Sequence, residues 1–167
     1  MSSGSTSARS KLADPGPPLP AAPPIPRSAL NAEQAAAADR ALSGSNLFLT
    51  GPAGVGKSYL LRFIIQELER RHPKAIAVTA PTGIAASHVQ GQTIHSWAGI
   101  GLGKGSRDSL LQKVMNNHAA CERWRKAEVL LLDEVSMLDS YLMEVLDMIG
   151  RSVRGEPAKA FGGLQII

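Results

Sequence analysis

Residues Gly51-Pro52-Ala53-Gly54-Val55-Gly56-Lys57-Ser58 satisfy every fixed position of the pattern G-x-x-x-x-G-K-[ST]. The chemistry open to such a segment is to hold a polyphosphate. Gly51, Gly54 and Gly56 allow the chain to curl so that successive N–H groups turn inward. Lys57 brings a positive charge to the β- and γ-phosphates and Ser58 offers its hydroxyl to Mg²⁺, while the helix starting here turns its positive end to the same anion. Much further along, Asp133-Glu134 follow the apolar run Val129–Leu132. Two adjacent carboxylates suit a metal ion and an attacking water: Asp133 would hold Mg²⁺ through its water shell, and Glu134 would polarise the water. The other reading makes them the acidic opening of a helix expected over Leu138–Arg151.

Both segments need a scaffold that brings them together. Leu47–Leu49 reads as a short buried strand entering the glycine loop, and Leu60, Leu61, Ile64, Ile65 and Leu68 have helical period before a basic stop at Arg70-Arg71-His72-Pro73. Ala75–Val78 is a second short strand, and Val129–Leu132 a third. Strands alternating with helices predict an α/β fold with a parallel sheet and helices on both faces, whose ligands sit at the carboxyl ends of the strands.

Other segments carry two readings each. Asn31–Leu42 is an alanine-rich helix in which Gln34 is either the third-position partner of an Asn31 capping box or an amide that reads adenine. In Thr79-Ala80-Pro81-Thr82-Gly83, hydroxyls and the amides of a new helix can hold a phosphodiester backbone, or the segment is an ordinary turn capped by Thr82. His95 and Trp97 can stack on unpaired bases, or Trp97 is core. Glycines at 99, 101, 103 and 105 predict a mobile loop, and Asp108–Lys126 one helix burying Leu111, Met115 and Trp124. Phe161-Gly162-Gly163 leads into Leu164–Ile167, an apolar run expected as a strand.

A chain of 167 residues with 44% hydrophobic content supports one core. Of the net charge of +4, Arg9, Lys11 and Arg27 against Asp14 place half before residue 30, so charge permits a nucleic-acid partner without arguing strongly for one. The single Cys121 excludes an internal disulfide and a multi-cysteine metal site, and is expected as a small buried apolar residue. No apolar run is long enough to span a membrane. Residues 1–27 are rich in serine and proline, with seven of the eleven prolines between Pro15 and Pro26, and are expected as a disordered segment or extended linker, weakly like a transit peptide at its start. The folded part is expected over 28–167.

LNAEQ at 30–34, GPAGVGKS at 51–58, TAPTGIAA at 79–86, GQTIHSWAGIGLG at 91–103, LLLDEVSMLD at 130–139 and FGGLQII at 161–167 together resemble the first blocks of the petite-integration-frequency (PIF-type) DNA helicases of superfamily 1B. The resemblance covers 28–167. It implies a RecA-like P-loop motor domain, cut before its completion, of an ATP-dependent enzyme. That enzyme would use ATP and Mg²⁺, move 5′ to 3′ on single-stranded DNA and open duplexes or forks. Roles in DNA repair, recombination and telomere maintenance follow, in nucleus or mitochondrion, with a monomer expected. It makes Gln34 the adenine reader and Thr79, Pro81, Thr82, Gly83 and His95 single-strand contacts. It also implies a second motor domain and arginine fingers beyond 167, so this span alone is expected to turn ATP over negligibly. A switch ATPase of the AAA+ type acting on DNA, or a non-catalytic nucleotide- or strand-binding module, are the competing expectations.

Overall fold

The computed structural model describes residues 23–167. The expected linker before residue 23 lies outside them. The order of elements is α1 (Ala32–Leu42), α2 (Lys57–Arg71), β1 (Ile76–Ala80), α3 (Gly83–His88), β2 (Gln92–Thr93), α4 (Ile94–Ala98), α5 (Arg107–Met115), α6 (His118–Lys126), β3 (Val129–Leu132), α7 (Ser140–Arg154) and β4 (Gln165–Ile166).

The strands form one parallel sheet in the order β2-β1-β3-β4. All four residues of β3 are buried, as a central parallel strand with both faces covered must be. Its side chains alternate between two cores. Leu130 and Leu132 join the cluster under α4, α5, α6 and α7, while Val129 and Leu131 join the one under α1 and α2. The α/β fold with helices on both faces is therefore as the sequence predicts.

The helices follow from their patterns. α7 buries Leu142, Val145, Leu146, Ile149 and Val153, a single stripe of helical period, between an Asp139 cap and Gly155 in the left-handed region. Trp124 is fully buried, donates from Nε1 to Ala98 O at 3.1 Å, and lies 4.5 Å, centre to centre, from the Trp97 ring. The core reading of Trp97 thus holds and the base-stacking one does not. Cys121 is buried, as expected.

Several expectations are corrected. Leu47–Leu49 is neither a strand of the sheet nor buried, with Phe48 exposed; its backbone link to β4 is the Leu47 N–H donating to Ile166 O at 2.9 Å, and one such bond makes no ladder. The helix expected over 108–126 is two, because Asn117 turns its side chain onto the Ala120 N–H (3.1 Å) and caps α6 instead of continuing α5. Met115, at the break, is 45% exposed. The last helix starts at Ser140, not Leu138. The folded body also begins ahead of residue 28: the Ile25 N–H donates to Gln66 Oε1 (3.1 Å), and Arg27 pairs with Asp39 (2.7 Å).

Candidate active site

The glycine loop and the acidic pair meet. Gly51, Lys57 and Ser58 line one cavity of about 650 Å³ together with Leu132, Asp133 and Glu134; Thr50 and Ser136 add polar atoms, and Phe48, Val135, Phe161 and Ile166 form apolar wall. Each group has a local cause. Gly54 (φ +85°) and Gly56 (φ +82°) hold left-handed backbone that a Cβ would oppose, and Gly56 is the N-cap of α2. Helix α2 is fifteen residues long, so its first N–H groups and dipole face the cavity with real strength. The register Thr79↔Leu132 and the bond from Asp133 N–H to Thr79 O (2.9 Å) hold Asp133 at the carboxyl end of the central strand.

The acids do not open α7. Asp139 caps α7, accepting from the Leu142 N–H at 2.7 Å, whereas Asp133 Oδ1 accepts the Glu134 N–H at 2.9 Å. Glu134 stands in the left-handed region (φ 52°, ψ 40°), a backbone that costs a non-glycine residue roughly 1–2 kcal/mol.

Lys57 donates its ammonium to Gly51 O (2.7 Å) and Pro52 O (2.8 Å), so the loop closes on its own lysine. Pro52, Ala53 and Val55 are exposed along the loop. Gln34 completes the capping box: its Oε1 accepts the Asn31 N–H at 3.0 Å and its backbone N–H donates to Asn31 Oδ1 at 2.8 Å. Its side-chain Nε2 also donates to Val55 O at 3.3 Å. The capping reading is therefore realised, and the same amide lies on the phosphate loop. Among the described residues no cluster of three or more His, Cys, Asp or Glu could hold a metal alone. Ser58 and Asp133 together with bound phosphate are a donor set of hard oxygens that fits Mg²⁺.

The expected strand contacts divide. Thr79 is fully buried and donates its hydroxyl to Leu131 O at 2.8 Å, so it is a core residue and leaves that set. Thr82 caps α3 through the Ala85 N–H (3.2 Å), and the six residues of α3 make a weak dipole. The register Ala80↔Thr93 brings the half-buried Pro81, the exposed Thr82 and Gly83, and the half-buried His95 to one edge of the sheet. The glycine run after α4 is not loose: Lys113 Nζ donates to Ile100 O (3.3 Å) and Tyr141 Oη to Gly105 O (2.7 Å). Neither anchor was legible, because lysine and tyrosine there carry no motif. Thr50 and Ser136 were also missed, and their only signal is adjacency to the two motifs.

A parallel α/β sheet whose carboxyl edge joins a glycine phosphate loop to an Asp-Glu pair defines a P-loop nucleotide-binding domain of RecA type. The chain belongs to the PIF1-like helicase family, whose model matches residues 29–167. It is 46% identical over 138 residues to the ATP-dependent DNA helicase PIF1 of Candida albicans, covering 83% of this chain and 15% of that protein. The crystal structure of the Candida albicans Pif1 helicase superposes with a TM-score of 0.79, at 46% identity, over 82% of this chain and 31% of that one. The Bacteroides Pif1 helicase in complex with ADP-AlF3 and ssDNA gives a TM-score of 0.66 at 31% identity, over 83% and 31%. The chain thus spans about 15% of the length of the first of these relatives.

Proposed function

We propose that this chain is the nucleotide-binding part of an ATP-dependent DNA helicase that moves 5′ to 3′ on single-stranded DNA and opens duplexes and forks. The observation that carries the reading is the single cavity shared by Lys57, Ser58, Asp133 and Glu134. The 46% identity to a protein named ATP-dependent DNA helicase PIF1 supports DNA as the substrate.

The residues divide the work. Loop N–H groups from Gly51 to Lys57 and the α2 dipole bind the phosphates, and Lys57 leaves its two carbonyl partners to meet the terminal ones. Ser58 and Asp133 would hold Mg²⁺, which when bound neutralises charge on the transferring phosphoryl group. Glu134 orients a water and takes its proton. Gln34 reads adenine through its side-chain amide, whose Nε2 carries a second N–H beside the one given to Val55 O. Pro81, Thr82, Gly83 and His95 face the DNA strand. The protein works as a monomer in genome maintenance, repair, recombination and at telomeres, in nucleus or mitochondrion. This span alone turns over ATP negligibly.

The test uses the full-length protein. Single-stranded DNA should stimulate ATP hydrolysis, duplexes with a 5′ single-stranded tail should be unwound in preference to those with a 3′ tail, and Glu134→Gln should cut turnover by about 10²–10⁴-fold while nucleotide still binds. Hydrolysis indifferent to DNA would end the helicase reading.

A further inference from the structure

The backbone of the segment from Gly99 to Ser106, between α4 and α5, is pinned by side chains from α5 and α7, and α4, which leads into it, is held by side chains from α6. Arg123 donates from Nε to Trp97 O (2.9 Å) and from Nη2 to Ser96 O (3.2 Å), and Trp124 Nε1 holds Ala98 O (3.1 Å). Lys113 Nζ takes Ile100 O (3.3 Å), and Tyr141 Oη takes Gly105 O (2.7 Å). The first four bonds come from α5 and α6, which precede the acidic pair. Tyr141 comes from α7, the helix that Asp133-Glu134 lead into.

Tyr141 is itself held. The Arg107 guanidinium lies 5.8 Å from its ring centre and pairs with Glu144, one turn further along α7. Gly105 (φ +127°) fits closely against α5, where a Cβ would come within 2.6 Å of Ser109 Oγ. In the middle of the loop Leu102 is 81% exposed. The loop lies beside His95: a Cβ on Gly103 would stand 2.9 Å from His95 Nε2. Leu102 is therefore presented on the edge that carries Thr82, Gly83 and His95, an apolar side chain of the kind that packs on or between bases.

We infer that Tyr141 is a positioning residue for the nucleic-acid strand: by holding Gly105 it fixes the glycine loop and its Leu102 at the strand edge, from the helix that follows the acidic pair. A glycine-rich loop has much backbone freedom to lose, so each tether that orders it before the strand arrives removes part of that cost from binding. Loss of one neutral hydrogen bond corresponds to about a fivefold change. The inference rests on the helicase reading above.

The experiment is DNA-stimulated ATP hydrolysis by the full-length protein, titrated with single-stranded oligonucleotide. Tyr141→Phe should raise the half-saturating DNA concentration about fivefold, leaving kcat at saturating DNA and KM for ATP unchanged. Leu102→Ala should also raise it, and the double variant should show less than the product of the two effects, since both act through one loop. A half-saturation unchanged by Tyr141→Phe, a fall in kcat with half-saturation unchanged, or strictly multiplicative effects would each overturn the inference while leaving the helicase reading intact. Should Tyr141→Phe fail to fold, Leu102→Ala carries the test alone, and an unchanged half-saturation there overturns it. A wild-type protein that DNA does not stimulate removes both readings together.

Discussion

The Gln34 side-chain nitrogen stands 2.7 Å from the point that a Cβ on Gly56 would occupy. Helix α1, through its capping box, therefore rests directly on the turn that starts α2, and an alanine at 56 would meet both this contact and a left-handed backbone (φ +82°). The backbone strain alone is worth roughly 1–2 kcal/mol, so Gly56→Ala should weaken binding of a fluorescent ATP analogue about tenfold or more. Adding Gln34→Ala should relieve the contact and restore only part of the affinity. Wild-type binding by Gly56→Ala would mean that this loop conformation is not the one nucleotide uses.

Gln34 serves as cap and lies on the loop, and one substitution separates the two. Glutamate also completes a capping box, but its carboxylate cannot donate to Val55 O or to adenine. Gln34→Glu should leave the melting temperature nearly unchanged while ATP affinity falls about fivefold and the preference for ATP over GTP shrinks. Retention of that preference would confine Gln34 to capping.

Lys57 binds two carbonyl groups of exposed residues, which water can satisfy equally well. Lys57→Ala should therefore change stability by less than about 0.5 kcal/mol in a denaturant titration. Its affinity for a Mg²⁺-nucleotide should fall by roughly 10-fold or more, the worth of a charge-assisted contact. Equal affinity in both proteins would remove the phosphate-loop assignment.

Thr79 separates the core from the strand edge. Thr79→Val leaves Leu131 O short of its side-chain donor in a fully buried place and should cost about 1–3 kcal/mol of stability. In the folded variant, DNA affinity should match the wild type. A selective loss of DNA binding with stability intact would return Thr79 to the nucleic-acid surface.

The Arg27 guanidinium, chiefly through its hydrogen bond to Asp39 and then through its charge, holds the Asp39 carboxyl below the usual carboxylate range. Because the folded value is the depressed one, the linked stabilisation is present above the unfolded value of about 3.9 and is lost as pH falls through the folded value. The pair is exposed, so the effect is small. An NMR titration of Asp39 should move up toward the ordinary value in Arg27→Ala, and an unmoved curve would show that the ion pair does not persist in solution.

What the amino-acid order determined by itself is the chemistry that depends on neighbours along the chain. The glycine spacing of residues 51–58, the Asp-Glu pair after four buried strand residues, the Asn31–Gln34 capping box and the stripe of α7 are all local, since helices and strands repeat with short periods. Tertiary structure decided what depends on partners distant in sequence. It buried Thr79 by pairing β1 with β3, kept Leu47–Leu49 out of the sheet, and tied the glycine run to Lys113 and Tyr141, whereas the Asn117 cap that splits the expected long helix is as local as the capping box. A hydroxyl, a lysine or a tyrosine can bond to any carbonyl that the fold brings near, and sequence spacing does not say which one that will be.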